Sequence, residues 1–157
     1  MDEKDVKRAG LDLMEKAAVV ILTDIGSDGY PQSRAVFNLR NKSQYPPLAH
    51  LFEGHEQDFM VLIGTNTSSV KVAELQANPK SCLYYCIPEQ FHGMMLVGAI
   101  EIVQEDEMRK RLWMEGWERY YPLGYSDPDY TVLRMFPRYA SGWYHSGKFE
   151  FDLQQGG

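Results

Sequence analysis

Hydrophobic positions in this chain follow a helical period at the start and the shorter period of strands for most of the remainder. Val6, Gly10, Leu13 and Ala17 recur at helical spacing with charges between them, which predicts an amphipathic helix opening the chain over residues 1–17. Residues 18–23 (AVVILT) form a short β-branched run, Gly26-Ser27-Asp28-Gly29 follows as a turn, and residues 31–39 return as a second strand. Together they predict a hairpin. Residues 41–47 read as a polar loop containing Pro46-Pro47, and residues 59–65 as another strand. A short helix comes next and stops at Asn78-Pro79. Residues 81–87 and 94–103 read as two strands, connected through Pro88 and Gly93. Residues 104–121 (QEDEMRKRLWMEGWERYY) predict a second substantial helix, with acids at its start and Met108, Leu112 and Met114 among its apolar positions. Residues 130–136 and 142–153 complete the pattern as final strands separated by Pro137. About seven strands, two or three helices and more hairpins than βαβ units predict a mainly β fold: a small antiparallel barrel with peripheral helices. No repeat, low-complexity tract or linker interrupts the pattern, so residues 1–157 read as a single domain.

Composition narrows the function classes. At 157 residues, with 44% hydrophobic and 13% aromatic residues, the chain has material for a real core and does not read as disordered. Sixteen basic against 22 acidic residues give a net charge of -6, which argues against a general nucleic-acid or anionic-membrane surface. An anionic ligand would have to be held in a local pocket. No segment approaches the roughly 18 apolar residues of a membrane span. The charged N-terminal stretch lacks the apolar centre of a signal peptide. Cys82 and Cys86 stand four apart in a predicted strand, roughly 13 Å between Cα atoms and beyond disulfide reach. They read as reduced core thiols of a cytoplasmic protein, with metal ligation the weaker alternative. His50, His55, His92 and His145 are scattered without helical pairing, so no metal site is expected.

The candidate chemistry concentrates in residues 64–79, GTNTSSVKVAELQANP. A strand end passes through a hydroxyl-rich turn into a helix whose first turn carries Lys71. Helix N-termini are partially positive, so a lysine there has the wrong sign for the helix alone. Ser68 and Ser69 are good N-cap residues, but neither is followed three positions later by Glu or Gln, so no capping box ties up the amides. Free N–H groups, hydroxyls and an ammonium in one turn suit an anion, most naturally a phosphate. Taken alone, the turn reads first as an ordinary surface helix start with a solvated lysine. Arg34, inside the alternating strand PQSRAVFNL, likewise reads first as an edge or surface residue.

The pieces together carry more. TDIGSDGYPQSRAVF, LIGTNTSSVKVAELQANPKSCLYY, MLVGAIEIV and PRYASGW, in this order and spacing, resemble the pyridoxamine 5′-phosphate oxidase superfamily, and most closely its bacterial general stress protein branch. The resemblance runs from about Ala18 to Trp143. It implies a six-stranded FMN-binding split barrel and a homodimer with FMN at the subunit interface. Carried over by position, Arg34, Ser69 and Lys71 are implied at the FMN phosphate. Ala35 and Val36 are implied along the isoalloxazine ring, Gly64 and Thr65 at the strand end beside it, and Trp143 as a C-terminal tryptophan approaching the flavin. Trp113, Trp117, Tyr120 and Tyr121 read as core or dimer packing rather than as a substrate platform.

Departures from the pattern shape the functional expectation. Val70 replaces an arginine between Ser69 and Lys71, Leu39 replaces a lysine, and Gly93 stands for a glutamine. The Arg-x-His pair after the tryptophan is absent, with Phe149 at the arginine's place. These losses leave FMN binding but argue against oxidation of pyridoxamine phosphate. The expected protein is an FMN-dependent oxidoreductase acting on an unidentified small-molecule redox substrate. The flavin would supply the redox chemistry, so no catalytic side chain is assigned. The alternatives are a non-catalytic flavin- or haem-binding sensor or carrier, and a dimeric structural protein with a degenerate site. No Ser-His-Asp order, nucleophile elbow, close carboxylate pair or G-x-G-x-x-G supports hydrolytic or Rossmann chemistry.

Overall fold

The computed structural model describes residues 2–145 and 147–153. Helix α1 (Glu3–Lys16) starts on Asp2, whose carboxylate accepts the Asp5 N–H at 2.8 Å, and it buries Gly10, Leu13 and Met14. Its last carbonyls would otherwise be orphaned. The Asn38 amide donates to the Met14 and Ala17 carbonyls, both at 2.8 Å, and the Asn41 amide also reaches Ala17 at 3.0 Å. These two side chains tie the end of the first hairpin to the end of the first helix.

The strands are β1 (Val19–Ile25), β2 (Pro31–Phe37), β3 (Val61–Asn66), β4 (Lys80–Ile87), β5 (His92–Val103), β6 (Tyr130–Met135), β7 (Tyr139–Tyr144) and β8 (Gly147–Asp152). Helix α2 (Val70–Ala77) joins β3 to β4, and α3 (Asp106–Leu112) follows β5. All pairings are antiparallel, and the main path runs β2-β1-β4-β5-β6-β3, with β7 pairing β5 and β8 pairing β7. The long strand β5 is shared. Its first part, His92 to Val97, pairs with β7, whereas Ile100 to Val103 pairs with β6. Gly98 lies at the changeover, where a Cβ would come within 3.1–3.2 Å of Met135 and the Pro137 backbone. The sheet curls there, and the two ends of the path, β2 and β3, approach each other without pairing. This is a split barrel with peripheral helices.

Two apolar clusters fill it. One gathers Leu13 and Met14 of α1 against Leu22, Leu83, Met94 and Leu96 of the sheet; the other packs Leu48, Leu51 and Phe52 against Leu62, Leu112 and Val132. Arg40 crosses the second region, 5% exposed, donating to the carbonyls of Met60 (2.8 Å) and His55 (3.0 Å) while lying over the Phe52 ring. Burial holds its guanidinium below the usual arginine range, and the carbonyls compensate for the lost water.

Three expectations change. The helix predicted over 104–121 ends at Leu112, where Trp113 turns to an extended conformation and packs its ring on Tyr130; Gly116, with a left-handed φ of 97°, then starts a separate 3-10 turn. The run predicted as one strand, 142–153, is the end of β7 plus β8, folded back at His145 with φ 56°. Eight strands therefore occur among the described residues, where the pattern indicated about seven. The polar loop reaches only to Tyr45, since Pro46–Phe52 forms a 3-10 helix that buries Leu48, Leu51 and Phe52. Among the described residues no helix is long and apolar enough to cross a membrane.

One contact makes a direct test. Gly142 faces β5 so closely that a Cβ would sit 2.0 Å from the Gly93 carbonyl oxygen. Because the obstacle is backbone, Gly142→Ala should cost about 3 kcal/mol or more and lower the melting temperature by roughly 5–10 °C. Differential scanning calorimetry is the check; an unchanged transition would mean that β5 and β7 are farther apart than described.

Candidate functional site

The unpaired ends of the sheet enclose a hollow of about 370 Å³. Val19 of β1 and Ala35, Val36 and Phe37 of β2 form one wall, and Gly64, Thr65 and Asn66 of β3 form the facing one. Among the described residues, strand β2 pairs only with β1, and β3 only with β6. Each therefore turns a row of unladdered backbone N–H and C=O groups toward the gap. Leu39 closes part of the floor. The third wall is aromatic: Trp117, Tyr120, Tyr121 and Tyr130. Trp113 backs it, edge-on to Trp117 and Tyr130 at 6.0 and 5.3 Å between ring centres. A side chain at Gly64 would project toward Trp117 and Tyr130 at 3.8 Å, so the glycine keeps this part of the cleft open.

Lys71 is the one charged residue lining the hollow among the described residues. It stands in the first turn of α2, and its ammonium is held below the ordinary lysine value by burial and by neighbouring Arg34, against an opposing pull from Asp24. Beside it, the Ser69 hydroxyl oxygen is buried and has no hydrogen-bond partner among the described residues. A buried hydroxyl without a partner is costly, and an anion accepting from it would remove that cost. The turn is not wholly free, however. Asp129 reaches across from the loop before β6, accepting from the Ser68 N–H at 2.8 Å and the Asn66 amide at 2.7 Å, and these two bonds lower its pKa. An intrinsic carboxylate thus occupies part of the turn that the sequence left open.

Arg34 is likewise engaged. From β2 its guanidinium forms an ion pair with Asp24 of β1, a side chain that is 0% exposed, and lies 3.7 Å from Glu74 of α2. It does not line the hollow, although it stands near enough to Lys71 to help lower the ammonium's pKa.

Of the eight residues singled out from sequence, Ala35, Val36, Gly64, Thr65 and Lys71 meet around the hollow. Ser69 and Arg34 stand near Lys71. Trp143 is elsewhere: β1, β4 and β5 separate its strand from β2, and it lines a second depression with Tyr84, Met95 and Phe149. Sequence reasoning missed the wall formed by Trp117, Tyr120 and Tyr121, having read those rings as packing. The signal was present in Gly116, the left-handed residue that starts a separate 3-10 turn carrying Trp117. Arg109 of α3 donates to the Asp127 carbonyl at 2.9 Å and lies over the Tyr130 ring, so it backs the aromatic wall. His92 is a buried β5 residue, 4% exposed and edge-on to Tyr144 at 4.7 Å, and it does not line the hollow. No group of three or more His, Cys, Asp or Glu residues is arranged to hold a metal ion among the described residues.

A flat apolar slot, two strand edges able to hydrogen-bond ring heteroatoms, and a lysine with a buried, unpartnered hydroxyl two residues before it suit a planar ligand carrying an anionic group. Comparison with known proteins agrees in fold and in family. The chain is similar to a solved structure of a Clostridium acetobutylicum protein related to general stress protein 26 of B. subtilis, of the pyridoxinephosphate oxidase family. The two are 33% identical over 97% of this chain and 96% of that one, with a TM-score of 0.76. General stress protein 26 from Bacillus anthracis shares the fold at 15% identity over 94% and 98% of the two chains, TM-score 0.69. An F420 reductase shares it at 18% identity over 83% and 94%, TM-score 0.54. No curated protein matches the chain. The family profile described as "Pyridoxamine 5'-phosphate oxidase like" matches residues 39–155. With β3, α2 and the aromatic wall inside that span and the whole curled sheet shared with its relatives, this chain belongs to the pyridoxamine 5′-phosphate oxidase-like family.

Proposed function

We propose that the hollow binds FMN and that the protein is a flavin-dependent oxidoreductase acting on a small-molecule redox substrate. The observation that carries this reading is Lys71 lining an apolar, aromatic-walled slot, with the buried, unpartnered Ser69 hydroxyl two residues before it. Lys71 and Ser69 would hold the phosphate, with Arg34 nearby. The open edges of β2 at Ala35 and Val36, and of β3 at Gly64 and Thr65, would hydrogen-bond the ring system and fix its orientation. Trp117 and Tyr121 would exclude water from one side of it. FMN when bound would supply the electron-transfer chemistry. The relationship to an F420 reductase in fold is compatible with a redox role.

A carrier or sensor without turnover is the second reading. It is favoured by the scarcity of titratable groups in the hollow, where Lys71 and the tyrosines are the ones present among the described residues. For the haem variant of that reading, the tyrosines are the axial ligands the hollow offers, since no histidine, cysteine or methionine lines it among the described residues. Anaerobic reduction of the flavin-loaded protein by a nicotinamide separates enzyme from carrier.

Three outcomes are expected. Lys71→Ala removes a charge-assisted contact worth about 1.5–3 kcal/mol, so FMN should bind roughly ten- to a hundredfold more weakly in a flavin-fluorescence titration. Unchanged affinity would take the lysine out of the site. Second, the protein should be a homodimer. Val19, Phe37, Tyr84 and Trp143 are large apolar side chains at least 42% exposed, and Trp143 of the partner subunit would then be available to a flavin that its own chain does not let it reach. Light scattering should give about twice 18.1 kDa, and a monomer holding one FMN would refute the shared interface.

Third, the FMN-loaded protein should turn over pyridoxamine phosphate poorly. A second phosphate in the same cleft needs its own cations, whereas Leu39 is apolar and buried, Phe149 stacks on Phe151, and Arg109 is committed to Asp127. Steady-state oxygen consumption is the assay; kcat within the ordinary range of about 1–10³ s⁻¹ would restore the oxidase assignment.

A further inference from the structure

The ion-pair cluster near Lys71 contains one carboxyl more than Arg34 can serve. Asp24 is fully buried; its Oδ1 takes the Arg34 guanidinium, while its Oδ2 has no donor from any other described residue. Glu74, one turn after Lys71 on α2, is in the same position: its Oε2 is buried without a donor, and Arg34 stands off at 3.7 Å. Two buried carboxylate oxygens gathered around one guanidinium and lacking donors cannot both remain charged and unpartnered. A proton between them satisfies both at once, since the protonated carboxyl donates and the ionised one accepts. Glu74 accordingly has a raised pKa, chiefly through its hydrogen bond with Asp24, then through burial and the Asp24 charge.

We propose that Glu74 holds a proton that it donates toward Asp24, and that this proton sets how much positive charge Arg34 and Lys71 present to an anion in the hollow. The inference deepens the FMN reading and rests on it for the identity of the ring, but it concerns any phosphate held at Lys71. The groups facing the pair are Arg34 from β2, Lys71 from its own helix and, more distantly, Asp28 from the β1–β2 turn. With the proton in place the four central side chains carry two positive charges and one negative. When it leaves to solvent they sum to zero. A phosphate arriving at Lys71 adds negative charge beside the pair and so draws the proton back. By linkage, the anion binds more tightly when the proton is present, and its binding takes up protons from solution at a pH where the free pair has begun to lose them. Glu74 is therefore a positioning and specificity residue for the anionic group, acting through Arg34 and Lys71.

The sign distinguishes this effect from ionisation of the ligand. Second ionisation of a phosphate monoester, near pH 6, strengthens its attraction to cations as pH rises. Loss of the Glu74 proton weakens it. Lys71, with its lowered pKa, also loses charge as pH rises, so the comparison must be with a variant that keeps Lys71. Glu74→Gln is that variant: its amide donates permanently to Asp24 and cannot titrate.

The experiment is isothermal titration calorimetry of FMN, riboflavin and inorganic phosphate into wild type and Glu74→Gln across pH 5–9, in buffers of differing ionisation enthalpy. FMN should lose affinity with rising pH more steeply in wild type, leaving Glu74→Gln about tenfold tighter at the alkaline end for each unit by which the anion raises the pair's pKa. Proton uptake should accompany FMN binding in wild type and fall in the variant, and riboflavin, which lacks the phosphate, should show neither difference. Equal pH slopes for FMN in the two proteins, or the same difference with riboflavin, would overturn the proposal while leaving FMN binding intact. Coupled binding of inorganic phosphate without FMN binding would uphold the proposal and remove the flavin. If neither FMN nor phosphate binds, both readings fall. Should Glu74→Gln not fold, the buffer-dependent enthalpy of wild type alone decides: no proton uptake at any pH in the range refutes it.

Discussion

The structure depends on one strand having three partners. Strand β5 must satisfy β4 along most of its length while pairing with β7 at its start and with β6 at its end. Backbone hydrogen bonds cannot be shared without geometry to match, so the strand has to turn between its two sets of neighbours. Gly98 stands where Met135 and Pro137 crowd that turn. Everything that makes a site follows from the curl: β2 and β3 are brought opposite one another, α2 is carried to the mouth of the gap, and the segment after α3 lays its rings across the third side. A flatter sheet would contain the same residues without assembling them.

Charge in the site is balanced internally to an unusual extent. The local cations are Arg34 and Lys71, and each has carboxylate neighbours from within the chain: Asp24, Glu74 and, on the far side of the turn, Asp129. Such pairs cost desolvation that only good geometry offsets, so they are poor candidates for general stabilisation. They hold side chains in register instead. Asp24 fixes Arg34 against the β1–β2 hairpin, and Asp129 fixes the turn that orients Ser69 and Lys71.

Much of the architecture was legible in the sequence because strand alternation and turn residues are local. The first helix, the hairpin around residues 26–29 and the stop at Asn78-Pro79 all fall where the pattern placed them. Misreadings arose where tertiary contacts override local preference. Residues 104–121 have helical periodicity throughout, yet the helix ends at Leu112, where Trp113 turns extended and packs on Tyr130, and Gly116 then starts the separate turn that lays Trp117 against the same ring. For the same reason the aromatic wall was invisible as a wall. The anion-suited turn could be seen from Ser69 and Lys71 alone, but the competing carboxylate of Asp129 lies about sixty residues away in sequence, and no local pattern brings it there.

A barrel closed by hydrogen bonds has no exposed edges; among the described residues this one leaves a free edge on β2, β3 and β8, and it turns the first two toward each other. The seam between β2 and β3 can widen without a single ladder bond being broken, so ligand entry need not await any unfolding of the sheet. The same freedom has a liability. Unladdered edges are templates for strand addition by other chains, and with the seam unfilled, little but side chains such as Phe37 and Tyr120 stands in the way. A molecule seated in the seam would act as a stitch between the two edges, so occupancy of the site and resistance to aggregation become the same physical property.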